Sequence, residues 1–275
     1  IKHLASTEGN GVVVNASGAN IKINIKKDTV IEENHVGGNH GLFMLYSGTK
    51  LTMNNGEISH TTGWNSNGTV VGVYGTGSEF TMNGGLICSN SSVWGKDNQR
   101  NPAVYIHSNG KMTMNGGTIC HNIGKEYGGG IGSYKASSVI IINAGMVVDN
   151  SALNNDYRTG AYLERGDDVD APASDLQISG GIYTHDVSEE CAPGFVCLPF
   201  DRDVSKYCDL SFAPAGYNEN SRDNDYIVLP GYKISYYIVE NVNGETTEKQ
   251  VHEEFLLIPA NKTHDQVDLF ANHYD

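Results

Sequence analysis

One string is nearly duplicated in this chain: "FTMNGGLICSN" at 80–90 and "MTMNGGTICHN" at 112–122. Aligning the chain on its Gly-x-Ile-x-x-Asn element reveals further copies. "LTMNNGEISHT" supplies Ile58, the two strings above supply Ile87 and Ile119, "IIINAGMVVDN" supplies Val147 and "LQISGGIYTHD" supplies Tyr183. A degenerate copy, "KKDTVIEEN", adds Ile31, so the steps are 27, 29, 32, 28 and 36 residues. A repeat of this length, too short to bury a face alone, implies units that stack and share one core.

Each copy has another period-2 run upstream: "GVVVNASGA", "GLFMLYSGTK", "GVYGTGSE", "AVYIHSNGK", "GIGSYKASS" and "GAYLERGDD". A repeat therefore reads as three short strands separated by Gly, Asn and Ser turns, with no helical periodicity. The pattern predicts an all-β parallel β-helix of about six rungs over 1–190, each strand paired with its equivalents in the rungs above and below. Ile23, Met53, Met82, Met114, Ile142 and Ile178 are expected to form one inward column. Ile31, Ile58, Ile87, Ile119, Val147 and Tyr183 form a second, and Phe43, Tyr74, Tyr105, Ile131 and Tyr162 a third. Residues 191–275 leave the repeat. "YIVLPGYKISYYIVENVNG" and "HEEFLLIPAN" read as β-strands of a segment capping the exposed end of the solenoid.

Asn54, Asn83, Asn115 and Asn143 follow the apolar run, and Asn34, Asn90, Asn122 and Asn150 follow the Gly-x-Ile element. Asn tolerates positive φ and its amide stacks in ladders, so both sets are expected to be structural corner residues. Cys88 and Cys120 occupy one repeat position and should face the same way on neighbouring rungs, about 4.8 Å apart. That spacing fits either a disulfide or two stacked free thiols. No histidine stands in a fixed relation to them that would make a catalytic thiol.

Composition narrows the functional classes. The 33 glycines are not spaced every third residue, which excludes collagen. A formal charge of −14 disfavours nucleic acid and anionic membranes as partners. No segment approaches the roughly 18 apolar residues of a membrane helix. The opening "IKHLASTEGN" carries no signal peptide, so the chain reads as a trimmed mature form or an excised domain. Five cysteines without a CxxC pair argue against zinc.

The series "GGLICSN…AVYIHSNGKMTMNGGTICHN…GGGIGSY" resembles the Met-Asn-Gly-Gly-x-Ile-x-x-Asn repeats of large surface proteins of Gram-positive gut bacteria. "ISGGIYTHDVSEECAPGF" is similar to a segment that often closes such helices. The resemblance covers roughly residues 11–190. It implies a right-handed parallel β-helix of the pectate-lyase-like superfamily, secreted or displayed on a bacterial surface. Members include adhesin stalks, glycan-binding modules and glycosidases, among them lacto-N-biosidase-type enzymes. Architecture follows from the resemblance; activity does not.

The copies stop agreeing after the second Asn of each rung. The inserts "HVGGNH", "TGWNSNGTV", "SSVWGKDNQRNP", "IGKEY" and "SALNNDYRT" should stack along one edge of the helix. They hold both tryptophans of the chain, Trp64 and Trp94, with His35, His40, Asp97, Arg100, Glu126, Tyr127, Asp156, Tyr157 and Arg158. Aromatic faces stack on pyranose C–H faces while arginines, histidines and amides reach the hydroxyls. Trp64, Trp94, Tyr127, Tyr157, Arg100, Arg158 and His40 are therefore the candidate glycan contacts, although an indole also serves to pin its own loop.

A glycosidase needs two carboxylates about 5–10 Å apart. Glu126, Asp156 and Asp97 are the candidate catalytic residues, with Asp149 and Glu164 nearby. Among 32 acidic residues such spacings also arise by chance. A lyase-type calcium cluster has a possible source in Asp167, Asp168, Asp170 and Asp175 beside Arg165, but the Asp-x-Asp-Gly spacing of a calcium loop is missing. No cofactor is indicated. The leading expectation is a surface module that binds a glycan or glycoprotein. A glycoside hydrolase using the same edge is the first alternative, and a structural stalk or self-assembling subunit is the second.

Overall fold

A computed structural model describes residues 1, 14–18, 22–37, 41–64, 70–94, 102–124, 128–133, 137–156, 160–165, 169–170, 175–200, 225–242 and 245–258. Their fold is all-β and built from stacked parallel sheets. Sheet I holds Val14–Ser17, Phe43–Tyr46, Val71–Tyr74, Val104–His107, Ile131–Ser133 and Val169–Asp170. Sheet II holds Lys22–Ile25, Lys50–Met53, Glu79–Met82, Lys111–Met114, Val139–Ile142 and Asp175–Ile178. Sheet III holds Val30–Glu32, Glu57–Ser59, Leu86–Cys88, Thr118–Cys120, Met146–Val148 and Gly181–Tyr183. To these three expected strands each of the first five rungs adds a fourth, in sheet IV: His35–Gly37, Thr62–Trp64, Ser91–Trp94, Ile123–Gly124 and Ser151–Asp156.

The Ile58 column of sheet III stands as expected: Ile31, Ile58, Ile87, Ile119, Val147 and Tyr183 are successive partners, all buried. In sheet II the column through Met53, Met82, Met114, Ile142 and Ile178 begins at Ile25 rather than Ile23, which instead pairs with Leu51. Sheet I departs further. Phe43 pairs with Val71, Val71 with Val104, and Val104 with Ile131. Tyr74 is the partner of Tyr46 and His107, and Tyr105 that of Gly72. Tyr162 belongs to no such column, because Gly160–Arg165 pairs antiparallel with Ser151–Asp156. Tyr105 lies one residue and Tyr74 three residues beyond the paired Val104 and Val71, and an odd offset turns a side chain to the other face of the strand.

The corners also differ in mechanism from the expected positive-φ asparagines. Between sheets II and III the left-handed residue is the second glycine: Gly56, Gly85, Gly117, Gly145 and Gly181, with φ from +90° to +114°. Asn54, Asn83, Asn115 and Asn143 stand two residues before it and form an exposed ladder, in which Nδ2 of Asn83, Asn115 and Asn143 donates to Oδ1 of the preceding Asn at 2.8 Å. Between sheets III and IV the left-handed residue precedes the Asn: Glu33, His60, Ser89, His121 and Asp149, φ 52° to 57°. The following Asn is buried. Asn90 Nδ2 donates to Asn122 Oδ1, and Asn122 Nδ2 to Asn150 Oδ1, both at 2.9 Å. In the second rung Thr61 takes that place, its N–H donating to Asn90 Oδ1 at 3.0 Å.

At the last rung, Gly181–Tyr183 pairs antiparallel with the start of Tyr226–Val242, so this sheet edge is not left open. Phe195–Pro199 adds to the same strand. Beyond Pro230, Tyr226–Val242 runs on as a two-stranded ribbon with Glu245–Leu257, where Tyr237, Ile238, Val239, Val251 and Phe255 are exposed.

Candidate functional site

The inserts leave the solenoid from the ends of the sheet IV strands, and this fixes where their first residues lie. Trp64 closes Thr62–Trp64 and Trp94 closes Ser91–Trp94, and the two are Cα partners on neighbouring rungs, across a register irregularity after Ser91. Gly37 is the partner of Trp64 one rung earlier. At the strand start, His35 Nδ1 and Thr62 Oγ1 are 2.8 Å apart, which ties the first two rungs of this edge together. Asp156 ends Ser151–Asp156, whose rung-to-rung pairing stops at Ala152 before the strand continues into an antiparallel hairpin. Asp156 is thus carried away from the rung rather than stacked upon it. His40, Asp97, Arg100, Glu126, Tyr127, Tyr157 and Arg158 lie outside the described residues.

The other acidic candidates take ordinary places in the fold. Asp149 occupies the left-handed corner position, its N–H donating to Thr184 Oγ1 at 2.6 Å. Asp170 ends the last strand of sheet I, and Asp175 opens the last strand of sheet II and accepts from Gln177 Nε2 at 3.1 Å. Asp167 and Asp168 lie outside the described residues. Among the described residues no three His, Cys, Asp or Glu side chains are gathered as metal ligands would be.

Two further surfaces follow from the register. Tyr46 and Tyr74 stack at 5.4 Å between ring centroids, His107 lies 5.2 Å from Tyr74, and Tyr105 meets Tyr74 edge-on at 6.0 Å. Gly72 leaves the space that Tyr74 and Met44 occupy; a Cβ there would lie 2.8 Å from Tyr74 Cε2. Because Tyr46 and Tyr74 cover each other's faces, this column is better suited to packing than to holding a sugar ring. Burial raises both phenols, with Tyr105 and Tyr46 adding to the effect at Tyr74, so both stay neutral. The column went unread in the sequence because Tyr46, Tyr74 and His107 match only when strand ends are aligned. The corner between sheets II and III forms an open groove of about 810 Å³, with Asn54, Asn83 and Asn115 along it and Asp28 and Glu57 at its side.

The cysteine column brings two thiols together on neighbouring rungs. Cys88 and Cys120 are Cα partners with their sulfurs 3.2 Å apart, not bridged. The hydrogen bond from Cys120 lowers the Cys88 thiol to about 6, against opposing burial and with help from Ser89, His121 and His60. Cys191 and Cys197 are pushed up to about 12. For both, burial is the main cause; the carboxylates of Glu190 and Asp186 add to it at Cys191, and Asp186 and Cys191 add to it at Cys197. Alkylation requires the thiolate. Limiting iodoacetamide at pH 7 is therefore expected to label Cys88 before Cys191 and Cys197, with labelling falling as pH drops through about 6. Peptide mapping across pH 5–9 checks this, and equal labelling of the three at pH 7 would contradict it.

These features define the chain as a parallel β-solenoid with an antiparallel β-segment at its C-terminal end. No family model matches the chain, and neither a curated protein nor a solved structure is significantly similar to it.

Proposed function

We propose that this solenoid is a glycan-binding module of a bacterial surface protein, using the edge where the sheet IV strands release their inserts. The observation that carries the reading is the pairing of Trp64 with Trp94. The only two tryptophans of the chain enter the same edge one rung apart, about 4.8 Å along the axis. An indole supplies a large rigid face for a pyranose ring, and two such groups on a rigid scaffold lose little entropy when a glycan docks. The neighbouring inserts bring Arg100, Tyr127, Tyr157, Arg158 and His40 as hydrogen-bonding groups for sugar hydroxyls. The formal charge of −14 favours a neutral glycan over a sulfated or sialylated one. Resemblance of the Met-Asn-Gly-Gly repeat to surface proteins of gut bacteria supports the setting.

A glycan array probed with the wild type, Trp64→Ala and Trp94→Ala tests the reading. Binding concentrated on neutral glycans and weakened about fivefold or more by either substitution is expected, the loss of one stacked aromatic costing roughly 1–3 kcal/mol. A wild type that binds no glycan, or two variants that bind as well as it does, would refute the proposal. Release of free sugar by the wild type but not by Glu126→Gln or Asp156→Asn would replace it with the hydrolase reading.

A further inference from the structure

We propose that Cys88 and Cys120 are a reversible redox pair, in which two-electron oxidation by a peroxide closes a disulfide between neighbouring rungs. The two residues are in-register partners of adjacent parallel strands, and rung spacing of about 4.8 Å falls inside the Cα separation that a disulfide spans. Their sulfurs already face each other at 3.2 Å, so closing the bond needs only a small approach of the side chains.

The two thiols differ in a way that assigns their roles. Cys88 is partly exposed, with Ser89 Oγ 3.3 Å from its sulfur and His60 and His121 at the exposed left-handed positions beside the column. Cys120 is only 8% exposed and belongs to one apolar cluster with Met146, Val148, Ile182, Ile227 and Leu229. Cys88 is therefore the sulfur that meets the oxidant, and the depressed Cys88 pKa supplies the thiolate. Its attack on hydrogen peroxide forms an S–O bond and breaks the O–O bond, and the departing hydroxide takes a proton to become water. Cys120 then attacks the Cys88 sulfenic sulfur, forming S–S and breaking S–O, and the second hydroxide leaves with the Cys120 proton as water. Two thiols and one peroxide give one disulfide and two waters, and a dithiol reductant reverses the change.

The bond would close the segment 89–119, which includes Trp94 and the longest insert, so oxidation fastens the two rungs that bracket it. The chemistry does not depend on what that insert binds.

The test treats the full chain with equimolar hydrogen peroxide, blocks remaining thiols with iodoacetamide and maps peptides without reduction. Expected are a peptide joining Cys88 to Cys120, an intact mass lower by two hydrogens when read before blocking, reversal by dithiothreitol, and a melting temperature several degrees higher when oxidised. In Cys120→Ser, dimedone is expected to trap a Cys88 sulfenic acid at least tenfold more than in the wild type, with no cross-link. The proposal is overturned if the wild type forms no Cys88–Cys120 link, if a different cysteine pair links instead, or if dimedone labels Cys88 equally in both proteins. The wild-type map decides alone should the variant not fold.

Discussion

Asn122→Ala is expected to destabilise the solenoid by roughly 3–5 kcal/mol, because it removes the middle of a buried hydrogen-bond column. Asn122 is 1% exposed. Its Oδ1 accepts from both the backbone N–H and Nδ2 of Asn90, at 3.1 and 2.9 Å. Its Nδ2 donates to Ile87 O at 3.0 Å and to Asn150 Oδ1 at 2.9 Å. Alanine strips the Asn90 N–H of its acceptor and removes one donor to the Ile87 carbonyl at a site closed to water. Each buried group so stranded costs about 1–3 kcal/mol. Asn115 offers the control, since its amide belongs to the exposed ladder, where water replaces the bonds to Asn83 and Asn143. Asn115→Ala should cost under about 1 kcal/mol. Asn122→Asp should resemble the alanine variant, since a carboxylate has no N–H for Ile87 O. Urea denaturation followed by circular dichroism makes the comparison, and similar midpoints for Asn122→Ala and Asn115→Ala would contradict the proposed division of roles.

That contrast also explains which parts of the molecule were legible in the sequence. Sheets II and III are tied together by a corner of nearly fixed length, so the interval from Met53, Met82, Met114 and Ile142 to the next inward residue is constant. Their register could be read almost throughout. Only the first corner, where Asp28 takes the left-handed position, is one residue longer, so the spacing of the later rungs does not carry over to it and Ile25 rather than Ile23 pairs with Met53. Sheet I follows inserts of unequal length, and its spacing to sheet II alternates by one residue: Phe43 to Met53 and Val104 to Met114 span 10 residues, Val71 to Met82 and Ile131 to Ile142 span 11, so spacing fixes the match of "GVYGTG" to "AVYIHS" only to within one residue. Sheet IV was hidden for another reason. Its strands read HVG, TGW, SSVW, IG and SALNND, with no shared apolar position. Its pairing rests on backbone hydrogen bonds from the Asn corner, such as Ile123 N–H to Asn90 O at 2.8 Å, which need no side-chain pattern. The candidate carboxylates belong to the inserts, where no repeat exists to register them. The cysteine pair was legible as a shared position, whereas the difference in acidity between Cys88 and the cysteines at 191 and 197 depends on neighbours from other elements.

The Gly-Gly of the repeat looks like one motif, but its two positions should respond very differently to a methyl group. Gly85→Ala is expected to cost about 2–4 kcal/mol, and Gly84→Ala about 1 kcal/mol or less. Gly85 has φ +94°, a conformation that L side chains rarely adopt, and a Cβ there would lie 2.7 Å from Gly56 O and 2.8 Å from Asn55 C. Both obstacles are backbone of the adjacent rung, held by the same parallel ladder, so neither can retreat without breaking rung-to-rung pairing. Gly84 lacks the positive φ. Its added Cβ would approach Asn54 O at 2.7 Å, which also demands a shift, yet the chain makes that accommodation elsewhere. Asn55 and Ala144 occupy the equivalent place in their rungs, whereas the second place is glycine in all five: Gly56, Gly85, Gly117, Gly145 and Gly181. The repeat therefore contains its own substitution experiment, and thermal or guanidinium unfolding of the two alanine variants repeats it under control. Equal losses at both positions would mean that close rung packing, rather than the left-handed corner, sets the need for glycine. A large loss confined to Gly85 would identify the glycine at this place as the residue that lets sheet II turn into sheet III on the five rungs after the first, where Asp28 takes the left-handed position instead.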